Sequence, residues 1–201
     1  MIIPIKKLTD LCKIMNRNGS DKGQVSFGYF NPLINHSYTK VYYDLFSPIR
    51  YKKIRLFEMG ITFRRPEENR SSLYGWRDFF PNAVVFGADI DRNKLFQSDQ
   101  IKTFYCDQTS SESIENLWKN EELLEDMDII IDDGLHEPRA NICLLERSIH
   151  KIRKGGFYII EDIYVHCLEE MGRAIEKWKT MFPHIVFEIV QLDKKVMMTT
   201  I

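Results

Sequence analysis

The sequence lacks most of the marks by which a chain declares its compartment or its cofactor. No apolar run approaches the roughly 18–20 residues of a membrane span. The start, Met1-Ile2-Ile3-Pro4-Ile5-Lys6-Lys7, has no basic region followed by a long apolar core, so no signal peptide is expected. Cys12, Cys106, Cys143 and Cys167 are scattered without C-x-x-C spacing. That speaks against a zinc or disulfide framework and for reduced thiols in the cytoplasm. With a net charge of -1 there is no global attraction to nucleic acid or anionic membrane, and no basic stripe to read RNA. There is no G-x-x-x-x-G-K-[ST], and no G-x-G-x-x-G follows the first predicted strand, so the usual phosphate cradles are missing. Repeats, linkers and low-complexity segments are absent too. What remains is an ordinary globular composition, 44% hydrophobic and 28% charged over 201 residues, expected to form a single domain, 1–201, with its own core.

Two stretches organise the rest. Ile129-Ile130-Ile131-Asp132-Asp133-Gly134-Leu135-His136 and Gly155-Gly156-Phe157-Tyr158-Ile159-Ile160-Glu161-Asp162 are apolar runs of strand length that stop at acids. Uninterrupted apolar runs of this kind read as strands buried on both faces of a parallel sheet. Between them Ile142, Leu144, Leu145, Ile149 and Ile152 recur at helical spacing. This is a β-α-β unit, so both strands run parallel and end on one edge of the sheet, where open α/β sheets bind ligands. One Asp after a strand is usually a helix cap. Four carboxylates (Asp132, Asp133, Glu161, Asp162) gathered with His136 are mutually repelling unless a cation or ligand lies among them.

Before that unit, residues 5–16 read as a helix and His36 to Phe46 leads into another, giving an N-terminal helical cover over 1–50. The Rossmann-like core, 54–201, opens with the strand from Ile54 to Gly60, followed by a helix from Ser71 to Phe80. Strands at Ala83 to Asp89 and Ile101 to Cys106 come next, then a helix from Ser111 to Trp118. After the central unit, Leu168 to Met181 is helical and ends at Pro183. His184 to Leu192 and Lys195 to Ile201, separated by Asp193-Lys194, form an antiparallel hairpin. The expected fold is a seven-stranded, mostly parallel α/β sheet with helices on both faces, the class I methyltransferase pattern.

The strand ends suggest the cofactor. Asp89 can accept both hydroxyls of a ribose. Asp107-Gln108 can read an adenine edge, and Glu58 and Gly60 lie where the chain passes the amino-acid portion. Acids on three successive strand ends, without a phosphate loop, suit the cationic nucleoside S-adenosylmethionine.

Several segments carry a family resemblance: Gly19-Ser20-Asp21-Lys22-Gly23, His36-Ser37-Tyr38 with Tyr42, Phe57-Glu58-Met59-Gly60, and Ser72-Leu73 with Trp76-Arg77-Asp78-Phe79-Phe80-Pro81. They continue with Gly87-Ala88-Asp89-Ile90-Asp91, Asp132-Asp133-Gly134-Leu135-His136 and Gly155 to Ile163. In this order the chain resembles the metal-dependent sugar O-methyltransferases of the macrocin and mycinamicin type, related to the cephalosporin-hydroxylase and rhamnosyl O-methyltransferase group. The resemblance implies that Asp133, Glu161 and Asp162 bind a divalent metal, Mg²⁺ or Mn²⁺, and that His136 is the general base. It implies that Tyr38, Tyr42, Ser72, Asp89, Asp107, Gln108 and Asp132 contact the cofactor. One departure stands out: the family's loop after the first strand is glycine-rich, and residues 61–71 here contain no glycine.

A sugar hydroxyl needs a base and a neighbouring cation to act as a nucleophile, which is what three carboxylates and a histidine can supply. The acceptor expected is a sugar-type small molecule of surface-polysaccharide or secondary-metabolite biosynthesis, and the chain is compatible with a homo-oligomer. Two alternatives share the fold: methylation of a non-sugar oxygen or nitrogen, and a non-catalytic cofactor-binding protein with a structural metal. His150, His166 and His184 read as surface or packing residues.

Overall fold

A computed structural model describes residues 8–23, 38–61, 71–192 and 195–200. His36, Ser37, most of the glycine-free loop and the Asp193-Lys194 turn lie outside the described residues. The chain divides into two compact units, Met1–Lys53 with Thr62–Ala83, and Ile54–Ile61 with Val84–Ile201.

The first unit holds helices α1 (Asp10–Arg17), α2 (Thr39–Phe46) and α3 (Ser72–Phe79). Thr9 caps α1 by accepting from the backbone N–H of Cys12 at 3.1 Å, which satisfies one of the open donors of the first turn. Leu11, Cys12, Ile14 and Met15 form its buried face. Gly75, in the middle of α3, is a packing residue. A Cβ there would sit 2.3 Å from the sulfur of Met15, so a larger residue would force the Met15 side chain to move. Around this contact Tyr42, Phe46, Trp76 and Phe80 build an aromatic core, with Tyr42 stacked on Phe46 at 5.2 Å and edge-on to Trp76 at 5.2 Å.

The second unit is one sheet of eight described strands: β1 (Arg55–Met59), β2 (Val84–Asp89), β3 (Gln97–Ser98), β4 (Ile101–Tyr105), β5 (Met127–Asp132), β6 (Ile152–Ile163), β7 (Phe187–Leu192) and β8 (Lys195–Thr200). Their order is β3-β4-β2-β1-β5-β6-β8-β7. β4, β2, β1, β5 and β6 run parallel, and β8 lies antiparallel between β6 and β7. The inserted antiparallel strand near the edge is the one the sequence pattern implies. The eighth strand, β3, is a two-residue antiparallel addition to β4, too short to leave a periodic signal.

Helices α4 (Ser111–Trp118), α5 (Pro138–Ser148) and α6 (Leu168–Met181) complete the unit. Alternate strand residues, among them Phe57 and Met59, Phe86 and Ala88, Ile130, and Tyr158 and Ile160, join Ile114, Leu144, Leu145, Met171, Ile175 and Trp178 in one core. The period of two is the pleat reading out on one face of the sheet. Leu56, Val85, Ile129, Ile131 and Ile159, on the other face, are equally buried, which explains why these strands read as continuous apolar runs. At the amino edge Asp128, buried in β5, accepts from the backbone N–H of Arg55 at 2.7 Å and from the Arg153 guanidinium. Gly156 is required there, because a Cβ would lie 2.7 Å from the Asp128 carbonyl oxygen.

Candidate active site

At the carboxyl edge the backbone ladder continues past the strand ends. Gly60 donates to the Ala88 carbonyl at 2.8 Å and Asp133 donates to the Met59 carbonyl at 3.0 Å. This pulls the loops after β1 and β5 together so closely that a Cβ on Gly60 would lie 2.1 Å from the Asp133 carbonyl oxygen, and Gly60 has φ +94°. Both space and backbone demand glycine. Gly60→Val is therefore expected to lower the unfolding free energy by roughly 3 kcal/mol or more, the range of overpacking added to a strained dihedral. A denaturation midpoint equal to the wild type's would contradict this geometry.

Asp132 is fully buried and acts as the internal brace of the β5 loop. Its carboxylate accepts from Gln108 Nε2 at 2.6 Å, from Asn141 Nδ2 at 2.8 Å and from the Gly134 N–H at 3.3 Å. Gln108 closes the arrangement by accepting from the Leu135 N–H at 2.9 Å. A Cβ on Gly134 would lie 2.0 Å from the Gln108 side-chain oxygen. Asp132 and Gln108, expected to touch a cofactor, thus use these groups on each other and on their own loop. Asn141, on α5, has no signal in the sequence because only the fold brings it to Asp132.

Burial pushes the Asp132 carboxyl up to about 6, although hydrogen bonds from Asn141 and Gly134, the nearby His136 and Gln108 all pull it down. An acid raised in the folded state holds its proton more tightly there than in the unfolded chain, so stability falls as pH rises from the ordinary carboxylate range through about 6. Relative to the wild type, Asp132→Asn should gain roughly 1–3 kcal/mol in unfolding free energy between pH 4 and 7 in metal-free buffer. Parallel stability curves for the two proteins would rule that out.

Beside this brace lies the reactive cluster. Ligand atoms of Asp133, His136 and Asp162 all fall within 4.8 Å of one another. His136 Nε2 is 3.8 Å from an Asp133 oxygen and 4.0 Å from an Asp162 oxygen, while its buried Nδ1 has no hydrogen-bond partner. The backbone is bent to make this meeting. His136 has φ 58° and Asp162 φ 52°, two of three non-glycine residues with positive φ among those described. Such conformations cost about 1–3 kcal/mol each and persist where the surroundings enforce them. For Asp162 the cause is a bulge. From Ile160 to Ile163, β6 takes three steps against two on β8, from Met198 to Val196, and such a bulge re-aims a side chain. Neighbours on a regular strand face opposite ways. Glu161, 1% exposed, is outside the cluster, and His136 occupies the third position among the described residues.

Of the other expected cofactor contacts, Asp89 is buried at the end of β2. It accepts from the N–H groups of Ile61 and Asp91, each at 2.8 Å, and from Lys94 Nζ at 3.2 Å. Asp107 accepts from the N–H and hydroxyl of Thr109 at 2.8 and 2.7 Å. Glu58 is fully buried on β1. Ser72, in the first turn of α3, and Tyr38 and Tyr42, both fully buried with their rings edge-on at 6.2 Å, belong to the first unit. The tyrosines sit where a packing role would put them.

No protein-family model matches the chain. It is 31% identical over 166 residues to 8-demethyl-8-(2-methoxy-alpha-L-rhamnosyl)-tetracenomycin-C 3'-O-methyltransferase of Streptomyces olivaceus, covering 82% of this chain and 40% of that protein. It is 30% identical over 147 residues to mycinamicin VI 2''-O-methyltransferase of Micromonospora griseorubida, covering 72% of this chain and 36% of that one. Its homologues are sugar O-methyltransferases. The chain therefore spans less than half the length of these relatives. Among solved structures, the MycE methyltransferase of the mycinamycin pathway, in complex with Mg and SAH, superposes with a TM-score of 0.74 at 22% identity, over 96% of this chain and 55% of that one. This likeness establishes a Rossmann-like methyltransferase fold.

Proposed function

We propose that the carboxyl edge of this sheet is a methyl-transfer site that binds S-adenosylmethionine and a divalent cation, Mg²⁺ or Mn²⁺, and methylates a hydroxyl of a sugar or glycosylated small molecule. The observation that carries this is the convergence of Asp133, His136 and Asp162, reached through two left-handed residues and a bulge. The relatives' names state O-methylation of a rhamnosyl tetracenomycin and of mycinamicin VI, which favours secondary-metabolite chemistry over surface polysaccharide.

The donor set fits the cation. Two carboxylates converge with an imidazole, and oxygen-rich sites of this kind suit Mg²⁺ or Mn²⁺. We assign Asp133 and Asp162 as ligands, with the buried Glu161 beside them as the further carboxylate that the resemblance implies. A cation held there would orient the acceptor hydroxyl and lower its pKa. S-adenosylmethionine bound there would supply the methyl group to the hydroxyl oxygen and depart as the neutral thioether. His136 Nε2, facing the two carboxylates, takes the hydroxyl proton. Asp89, at the end of β2, would hold the ribose of the cofactor. Asp132, Gln108 and Asn141 keep the β5 loop in place. A cytoplasmic setting fits the four free cysteines, and among the described residues no helix is long and apolar enough to cross a membrane.

Calorimetry tests the cofactor. S-adenosylhomocysteine should bind and NAD should not, and Asp89→Ala should weaken S-adenosylhomocysteine by about tenfold or more, since bonds to a charged acceptor contribute about 1.5–3 kcal/mol each. Binding of NAD with none of S-adenosylhomocysteine ends this reading.

A further inference from the structure

We infer that the turn from β6 into α6 carries the acceptor's seat: the aromatic face of Tyr164, held in place by His166 stacked against it, on which the ring of a glycosyl group lies, its hydroxyl edge toward His136. The inference rests on the methyl-transfer reading and names the part of the site that takes the sugar. Immediately beside His136 opens a cavity of about 610 Å³, lined by Leu135, Arg139, Tyr164, His166 and Glu170 among others. That volume falls within the roughly 300–1,000 Å³ of small-molecule sites.

Inside it the Tyr164 and His166 rings are parallel to within 6° with centroids 5.7 Å apart. This stacking holds the Tyr164 ring in a fixed orientation in the cavity wall. Tyr164 stands edge-on to His136, centroid to centroid 6.4 Å at 86°, so its ring borders the proton-accepting side chain. The surface is also left open: of the cavity's lining, Tyr164 is 44% exposed and Leu135 46%, apolar surface next to a charged cluster. A pyranose matches this combination. Its C–H face is apolar and covers an aromatic plane, as apolar groups do on aromatic surfaces. Its hydroxyl rim meets Arg139 and Glu170, which can donate and accept at the cavity wall.

The experiment uses the full chain with S-adenosylhomocysteine and Mg²⁺, and methyl α-L-rhamnopyranoside as the probe. Saturation-transfer NMR should show the sugar's ring C–H protons in contact with the protein. Tyr164→Ala should weaken that binding roughly tenfold and Tyr164→Phe should preserve it, the size expected for loss of one aromatic face. S-adenosylhomocysteine affinity, measured by calorimetry, should be the same in all three proteins, which also shows that the variants fold. Equal sugar binding in Tyr164→Ala overturns the inference, as does a wild-type chain that binds S-adenosylhomocysteine but not the sugar. A wild-type chain that binds the sugar in a Tyr164-dependent way but not S-adenosylhomocysteine upholds the platform and removes the methyl-transfer reading instead.

Discussion

His136→Ala should lower kcat toward a rhamnosylated acceptor by about 10²–10⁴-fold, the contribution of a positioned general base, with S-adenosylhomocysteine and Mn²⁺ affinities unchanged. The geometry explains why the loss falls on kcat. Nε2 lies 3.8 and 4.0 Å from the two carboxylates proposed to hold the cation, so a hydroxyl placed between them is within its reach. Alanine keeps the Cβ of histidine and so leaves the left-handed backbone at His136 strained to a similar degree. The folded state should survive the change, and circular dichroism checks that it does. A fall confined to KM would make His136 a positioning residue. A parallel collapse of Mn²⁺ affinity would make it the third ligand, a role its place in the cluster also permits.

Asp162→Asn carries the second large effect: Mn²⁺ affinity should fall by at least about 100-fold, and turnover with it. Loss of a partner that merely orients a ligand costs about 10–100-fold, and loss of a ligand's own charge costs more. The side chain is nearly buried, so no other carboxylate can swing in from solvent to replace it. The amide keeps the shape of the bulge, and S-adenosylhomocysteine binding should persist. Exhaustive chelation of the wild type should reproduce the same loss of turnover, restored by Mg²⁺ or Mn²⁺. Full turnover in excess chelator would leave the cluster as a charge-compensated structural element. Manganese relaxation measurements on Asp162→Asn and Asp133→Asn decide whether both carboxylates share one ion.

Much of this was legible in the order of residues. Strands buried on both faces, helices with a 3.6-residue stripe and a tail joined by a two-residue turn are local signals, and parallel connections are right-handed almost without exception. Together they determine that Asp89, Asp107, Asp133, His136 and Asp162 end on one edge of one sheet. Helices α4 and α6 begin and end at the residues their periodicity indicates. What a sequence pattern cannot carry is direction within that edge. It names Glu161 and Asp162 together as ligands and carries no sign of the bulge against β8 at which Asp162 meets Asp133 and His136. It names Gln108 and Asp132 as cofactor contacts, and nothing local says that Asn141 from α5 also arrives to donate to Asp132. It gives Tyr164 no role and reads His166 as a surface or packing residue, since the two rings stack only when the turn after β6 sets them parallel. The residue types on which the proposed chemistry rests are written along the chain; which atoms face one another was decided by backbone dihedrals and long-range hydrogen bonds, both settled only when distant segments pack together.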